Sequence, residues 1–395
     1  MPRSAVRSFF GAATLFAASL CAQTTYVVDR LNRPGTDFLD VPAAAAAAAD
    51  GDTLLLRSDA GVYTPVTTGK GLRIVGDAVG PAIFSVAAGA PGFVVSGLPA
   101  GRDFVLRNCM VLGTGVAAGP RLRLENCLGR VHLQQVEVAV YTGAVAIDVF
   151  ACQAVTLRQC EATGTPGLRV QNATASVMDT RCYGTAASTL AALPAAPGLW
   201  LQNASAQLAN VQAFGGLASG PLPPAPGAFV AGAVVAATGV GGLPRFVAGA
   251  YGTSSATGPV PAVDGQNSLL ELDPEVQLVP RGGAAAVVGA TPVSVAQAAL
   301  SVTGSSVFSV AFAASPTAAQ VTLIGFPRDP LFFPGISGRL WIDDAAMLVL
   351  PGVLGGFGGF AESQLPPAVT LVLQVLSLDT GSVQLTAPAV LTPRF

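Results

Sequence analysis

Residues 122–143 read LRLENCLGRVHLQQVEVAVYTG, and this pattern returns three times further along the chain. The later copies read AIDVFACQAVTLRQCEATGTPG at 146–167, LRVQNATASVMDTRCYGT at 168–185 and LWLQNASAQLANVQAFGG at 199–216. The segment AASTLAALPAAPG at 186–198, between the last two copies, has the composition of a loop insertion. A repeat of 20 to 50 residues is typical of a protein built from stacked units.

Apolar residues alternate at the start of each copy, as in Leu122 and Leu124 or Leu168 and Val170. Alternation with a period of two predicts a strand with one buried face, and none of the copies contains an apolar stripe of helical length. Short strands separated by Gly and Asn predict a solenoid whose coils stack in parallel. Aligning Leu122 with Ala146, Leu168 and Leu199 stacks a ladder of three asparagines, Asn126, Asn172 and Asn203. The second copy interrupts the ladder by placing Phe150 there, or slips by one residue.

The composition excludes several classes of protein. The chain has 395 residues, a net charge of −2 and 11% charged residues, with a single histidine and a single lysine, Lys70. A near-neutral chain of this kind does not predict a nucleic-acid binder. One histidine and one lysine also leave almost no material for histidine metal sites, Ser/His/Asp triads, P-loops or Schiff bases.

The first 22 residues resemble a secretory signal peptide, with a basic start, an apolar segment and a small-residue cleavage site between Ala22 and Gln23. We therefore expect a secreted, extracellular or cell-surface protein with no transmembrane helix beyond this signal. The mature chain keeps five cysteines, an odd number that leaves at least one thiol unpaired. We expect them to pack as small apolar residues in the core. They are Cys109, Cys127, Cys152, Cys160 and Cys182.

An alanine-rich segment after Pro42 predicts a short helix that covers the open end of the stack. Three short motifs follow it: Gly51-Asp52-Thr53, Gly61-Val62-Tyr63 and Lys70-Gly71-Leu72. This opening resembles that of the right-handed parallel β-helix proteins of the pectate lyase-like superfamily, which are secreted by bacteria. The resemblance implies an all-β fold, a right-handed parallel β-helix or solenoid, but carries little information about activity because the superfamily includes enzymes and non-enzymes.

Four segments are expected from these patterns: a signal peptide at 1–22, the β-helix with its capping helix at 23–250, a linker at 251–269 and a C-terminal β-sandwich module at 270–395. The linker is rich in Gly, Ser and Pro. The last segment has alternating strands separated by Pro and Gly turns, which favours a sandwich.

The second position of the repeat holds Arg73, Arg123, Arg169 and Trp200, which we expect to point outward. Arg123, Arg169 and Trp200 are candidates for binding carbohydrate, because arginine and tryptophan can hydrogen-bond to and stack on sugars. The alternative is a solubilising surface without a ligand. His132 is expected to be an ordinary surface residue.

Two carboxylates, Glu125 and Asp148, are expected one coil apart. With Arg123 and Arg169 they are the candidate catalytic residues, since hydrolases of this fold use paired carboxylates and lyases use carboxylate-bound calcium with a basic residue. A solvated surface pair is the alternative. Family hydrolase motifs are absent, because Leu133 rather than glycine follows His132.

The sequence therefore favours a secreted or cell-surface β-helix protein with a structural, adhesive or glycan-binding role. The alternative is a polysaccharide lyase or glycoside hydrolase that acts along the β-helix face. We expect no metal site and no cofactor, except calcium if the protein is a lyase. The expected partner is a polysaccharide or a cell-envelope surface.

Overall fold

The computed structural model describes residues 23–294, apart from 114–118, 141–142, 189–192, 220, 239–244, 250–257 and 274–275. It also describes a set of strands between residues 298 and 391. The predicted signal peptide lies outside the described residues.

In the described part of the chain, the strands between residues 25 and 294 pair in parallel with the strands one coil before and one coil after them. This arrangement confirms the predicted all-β parallel β-helix. Each complete coil contributes to three faces, and the long strands turn a corner between two of them.

Face 1 contains β1 (Thr25–Val28), β2 (Thr53–Leu56), β5 (Arg73–Gly76), the first part of β8 (Asp103–Gly113), the first part of β10 (Arg130–Ala139), β12 (Ala154–Arg158), β15 (Thr174–Met178), β18 (Ser205–Ala209), β21 (Val234–Thr238), and the second parts of β23 (Val263–Leu272) and β25 (Val287–Ser294). Face 2 contains β3 (Val62–Tyr63), β6 (Ala82–Val86), the second parts of β8 and β10, β13 (Glu161–Gly164), β16 (Arg181–Gly184), β19 (Gln212–Phe214), β22 (Arg245–Val247) and β24 (Gln277–Val279). Face 3 contains β4 (Thr67–Thr68), β7 (Phe93–Ser96), β9 (Leu122–Glu125), β11 (Ile147–Phe150), β14 (Leu168–Gln171), β17 (Leu199–Gln202), β20 (Ala228–Ala231) and the first parts of β23 and β25.

The core is made of inward side chains stacked in register from coil to coil. On face 1, Leu106 pairs with Leu133, which pairs with Leu157, and all three are buried. Each inward side chain within the stack therefore buries apolar surface against two neighbours, one on the coil before and one on the coil after.

The corner between faces 3 and 1 is turned by one residue with a positive φ. Asn126, Asn172 and Asn203 occupy this position with φ between 47° and 54°, and Asn203 Nδ2 donates to Asn172 Oδ1 at 3.3 Å. The three predicted asparagines therefore share this corner position, and Asn172 and Asn203 bond to each other. Ala151, with φ 52°, fills the gap between Asn126 and Asn172.

The predicted capping helix is α1 (Val41–Ala47), with Pro42 in its first turn. Asp40 is its N-cap residue. Lys70 Nζ donates to the carbonyl oxygens of Ala45, Ala46 and Ala48 at 2.9, 2.9 and 2.7 Å. The chain's single lysine thus caps the end of the helix, where the carbonyl groups lack helical partners.

The five cysteines beyond the predicted signal peptide are free and buried, as the sequence predicted. Burial raises the pKa of both Cys109 and Cys160 to about 12. Cys127 and Cys152 follow the same corner on neighbouring coils. A hydrogen bond from the Cys152 thiol lowers the pKa of Cys127 to about 7 and raises that of Cys152.

The solenoid continues beyond residue 250. Strand β23, which includes part of the expected linker, pairs with β20 and β21, and β25 pairs with β23. The Gly, Ser and Pro-rich segment is therefore a connection within the solenoid, and the expected boundary at residue 250 falls inside the stack.

Beyond residue 294 the described strands form three smaller sheets that are mainly antiparallel. The first contains β26 (Ala298–Thr303), β27 (Val307–Phe312) and β33 (Phe357–Ala361), and the second pairs β29 (Pro327–Leu331) with β31 (Leu340–Ile342). The third contains β28 (Ala319–Gly325), β30 (Ile336–Ser337), β32 (Leu348–Pro351), β34 (Leu371–Asp379), β35 (Ser382–Leu385) and β36 (Ala389–Leu391). The β-sandwich arrangement of these sheets stays a prediction. None of the helices in the described residues has the length and apolarity needed to cross a membrane.

Candidate functional site

A row of outward side chains runs along face 3, one from each of five consecutive coils. Its members, which we call the Arg-Trp row, are Arg123, Asp148, Arg169, Trp200 and Phe229. They occupy the same register position on β9, β11, β14, β17 and β20. Neighbouring members are therefore separated by the spacing of parallel strands, about 4.8 Å.

Asp148 and Arg169 form the centre of this row. Arg169 Nε donates to Asp148 Oδ1 at 2.8 Å, and Arg169 Nη2 donates to Oδ2 at 2.9 Å. The Asp148 side chain is only 2% exposed, whereas that of Arg169 is 30% exposed. The bidentate pair holds the guanidinium plane in a fixed orientation and leaves part of it open to solvent.

Arg123 lies between the two candidate carboxylates. Its Nε is 2.7 Å from Glu125 Oε2 and 4.0 Å from Asp148 Oδ2. The structure therefore brings Glu125, Asp148, Arg123 and Arg169 together on neighbouring coils. The two carboxylates are not in register, because Asp148 pairs with Arg123 and Glu125 pairs with Phe150. Each carboxylate, however, is ion-paired with an arginine.

Trp200 and Phe229 continue the row as an aromatic pair, with ring centroids 4.7 Å apart and planes tilted by 51°. Both rings are half-buried. Beside them, on the next outward position of face 3, Gln171 Nε2 donates to Gln202 Oε1 at 2.7 Å. The surface thus combines arginines, aromatic rings and amides.

The register corrects two details of the predicted row. Arg73 lies on β5 of face 1, and Val94 of β7 takes the position expected for it on face 3. Asp148 belongs to the row because Leu122 pairs with Ile147 rather than with Ala146. The alternation Ile147, Val149 could have shown this, since it matches Leu122 and Leu124 better than Ala146 does.

The described residues contain no preformed cluster of metal ligands. Among the residues that the structure describes, no group of three His, Cys, Asp or Glu side chains is placed to hold a metal ion. Glu125 and Asp148 face arginines, which supply the positive charge that a calcium ion would supply to them.

His132 is buried, contrary to the expectation of a surface residue. It points away from the core on β10, but its exposed fraction is 6%. The outer side of face 1 is covered in its later coils, where β29 contacts β15 and β36 contacts β18. Burial lowers the pKa of His132 to about 4, although the negative charge of Asp103 acts to raise it.

A second pair of carboxylates lies on face 2. Glu137 of β10 pairs in register with Glu161 of β13, and Arg181 of β16 follows on the next coil. Burial raises the pKa of Glu137, and the Glu161 carboxylate raises it further. The signal for this pairing is present in the sequence, because Glu137 and Glu161 each directly follow a buried residue at the same position of the repeat, Val136 and Cys160.

Comparison with known proteins adds distant structural likenesses. Neither a protein-family model nor a curated protein matches the chain. Pectin methylesterase PemA from Erwinia chrysanthemi is 12% identical, with a TM-score of 0.29 over 64% of this chain and 79% of that chain. The enzymatically active domain of bacteriophage CBA120 tailspike protein 2 is 7% identical, with a TM-score of 0.34 over 84% of this chain and 71% of that chain. The GH136 lacto-N-biosidase from Eubacterium ramulus is 11% identical, with a TM-score of 0.20 over 69% of this chain and 67% of that chain. At these levels of similarity, the function of this chain has to be argued from its own residues.

Proposed function

We propose that this protein is a secreted or cell-surface β-helix that binds a glycan chain along the Arg-Trp row without cleaving it. The observation that carries the proposal is the register of the row, which places Arg123, Arg169, Trp200 and Phe229 on one line parallel to the stacking direction. A linear polymer lying along this line meets a new side chain on every coil.

The row offers the contacts that a sugar chain requires. The half-exposed guanidinium groups of Arg123 and Arg169 donate hydrogen bonds to hydroxyl or carboxylate oxygens. Trp200 and Phe229 present apolar surface to the C–H face of a sugar ring, and Trp200 Nε1 is a buried donor without a partner among the described residues. The amides of Gln171 and Gln202 add donors and acceptors beside the row.

The ion pairs favour binding over cleavage at this place. A glycosidase needs one carboxyl group that gives a proton and a second that attacks or activates water. Asp148 is buried under Arg169 and Glu125 is paired with Arg123, so the ion pairs limit the access of both carboxylates to a substrate.

The test is binding of the purified protein to a panel of polysaccharides, together with an assay for new reducing ends. We expect at least one polymer to bind, and replacement of Trp200 by alanine to weaken that binding about tenfold or more. The control is Val79→Ala, because Val79 is 78% exposed in the turn between β5 and β6, away from face 3. Unchanged binding by Trp200→Ala, or no binding across the panel, would remove the proposal.

A second candidate function, glycoside hydrolysis on face 2, is favoured by the stacked Glu137 and Glu161. The raised pKa of Glu137 is the property expected of a proton donor next to a charged partner. Release of reducing ends that is lost in both Glu137→Gln and Glu161→Gln, but kept in Trp200→Ala, would establish this function instead.

A further inference from the structure

A groove lies at the end of face 2, apart from the Arg-Trp row. It has a volume of about 510 Å³, and its lining includes Tyr183, Phe214, Val247, Arg245 and Arg281. This volume falls within the range of small-molecule sites, about 300 to 1,000 Å³.

The wall of the groove is built by the segments that connect face 2 to face 3. Each segment leaves its strand through a glycine that packs directly on a neighbouring backbone: a Cβ at Gly184 would lie 1.8 Å from the Ala196 oxygen, and one at Gly215 would lie 2.0 Å from the Ala225 oxygen. Successive segments also bond to each other, with Gly216 N donating to Ala196 O at 2.8 Å. The groove is therefore bounded by hydrogen-bonded backbone rather than by side chains alone.

Two stacked aromatic rings lie at the bottom of the groove, and the next coil has no ring in the same register. Tyr183 and Phe214 are paired on neighbouring coils, with centroids 5.1 Å apart and planes within 9° of parallel. The next residue in this register is Val247, which is smaller than a phenyl ring. One more flat ring would extend the stack over Val247, since aromatic rings favour this kind of contact.

The charge of the groove comes from two arginines. Arg245 lies on β22 and Arg281 follows β24, where its backbone exchanges hydrogen bonds with Val260 at 2.9 and 3.0 Å. Both side chains are exposed. Neither forms an ion pair with a carboxylate in the described part of the chain. Two uncompensated guanidinium groups favour an anionic ligand.

We infer that this groove is a binding site for a small aromatic carboxylate, whose ring packs beside Phe214 and whose carboxylate pairs with Arg245 and Arg281. A saccharide fits less well, because the lining side chains other than Tyr183 and the two arginines are apolar and would leave sugar hydroxyl groups without partners. The site is separate from the proposed glycan surface and does not depend on it.

The experiment is a calorimetric titration of the purified protein with 4-hydroxycinnamate and with two matched compounds. The methyl ester of 4-hydroxycinnamate keeps the ring and loses the charge, whereas cyclohexanecarboxylate keeps the charge and loses the aromatic ring. We expect the acid to bind and each matched compound to bind about tenfold more weakly or worse.

Variants locate the site. The double variant Arg245→Gln/Arg281→Gln and the single variant Phe214→Leu should each weaken binding of the acid about tenfold. Arg130→Gln, an exposed arginine paired with Asp103 away from the groove, should bind as the wild type does. Circular dichroism and the melting temperature show whether each variant is folded.

The inference would be overturned by no binding of the acid at millimolar concentration or by equal binding of the methyl ester. It would also be overturned if Trp200→Ala lost binding of the acid while the groove variants bound it as the wild type does. The last result would place the ligand on the Arg-Trp row. Stronger binding of a saccharide in the groove than of the aromatic acid would refute the ligand class.

Discussion

Arg169 and Asp148 form two parallel hydrogen bonds, at 2.8 and 2.9 Å, between neighbouring coils of the solenoid. A second pair, Arg130 and Asp103, repeats this geometry at 2.8 and 2.9 Å. The two pairs differ in burial, because the aspartate side chain is 2% exposed in the first and 35% exposed in the second. The chain thus contains its own comparison of a buried and an open ion pair.

Replacing Arg169 by glutamine should lower the free energy of unfolding by about 2 kcal/mol, because it leaves the buried Asp148 carboxylate with only the more distant Arg123. The measurement is equilibrium unfolding in urea. Arg130→Gln is the matched control and should cost no more than about 0.5 kcal/mol. Adding Asp148→Asn to Arg169→Gln should recover part of the loss. Equal losses at Arg169 and Arg130 would contradict the assigned role of burial.

Replacing Ala151 by asparagine should stabilise the folded protein. Ala151 has φ 52° at the corner position where Asn126 and Asn172 stand on the neighbouring coils. Asparagine tolerates this conformation better than alanine and would complete the ladder, so Ala151→Asn should raise the free energy of unfolding by about 1 kcal/mol. Ala151→Gly is the control, since it relieves the backbone without adding an amide. If glycine stabilises the protein as much as asparagine, the ladder amides contribute nothing at this corner.

The same position shows why the sequence predicted the fold but not every register. Alternating apolar residues predict strands and a buried side, and stacking makes that pattern repeat from coil to coil. Ala146 and Ile147 are both fully buried, and aligning Ala146 with Leu122 shifted this coil by one residue although Ile147 and Val149 match Leu122 and Leu124. The shift also hid the corner residue Ala151, because a left-handed alanine has no recognisable pattern in the sequence.

The other differences between prediction and structure depend on contacts that are distant in the sequence. His132 resembles a surface residue in its local sequence, but only 6% of it is exposed in the fold, and β29 and β36 contact later coils on the same outer side of face 1. The segment 251–262 has the composition of a linker between domains, yet β23 resumes the stack directly after it. In the candidate site, the arginines and Trp200 were identified from their repeat position, whereas the groove depends on how three connecting segments pack.

Lys70 should contribute to stability through its three carbonyl partners at the end of α1. Lys70→Met keeps the length of the side chain but removes the ammonium group, and should lower the free energy of unfolding by about 1 to 2 kcal/mol. Urea unfolding measures this loss, and Lys70→Arg should recover part of it. An independent check is amine labelling, because the chain has one lysine. Lys70 should react more slowly with an acylating reagent in the folded than in the unfolded protein, and equal rates would argue against the cap.

The buried thiols should resist modification until the protein opens. Ellman's reagent at neutral pH should leave Cys109, Cys160 and Cys182 unreacted in the native state, because burial raises the pKa of these three thiols. In guanidinium the reagent should react with all five thiols beyond the predicted signal peptide. In a brief iodoacetamide pulse at a denaturant concentration that opens the protein in part, followed by mass spectrometry, Cys127 should be alkylated before Cys160 and Cys182, since a hydrogen bond from the Cys152 thiol lowers its pKa. Earlier alkylation of Cys160 or Cys182 would contradict this order.

His132 should make the protein less stable in acid. Its pKa is lowered from 6.5 to about 4 in the folded state, so the unfolded chain binds the proton first as the pH falls. Its contribution to stability is fully present above about pH 6.5 and is lost between that pH and about pH 4, to a total of about 3 kcal/mol. The chain has no other histidine, so the difference between the wild type and His132→Gln in urea unfolding at each pH isolates this residue. As the pH falls through this window, the free energy of unfolding of the wild type should decrease relative to that of the variant, because glutamine does not titrate. A difference that stays constant from pH 7 to pH 4 would show that His132 titrates alike in both states and that the outer side of face 1 is open to water.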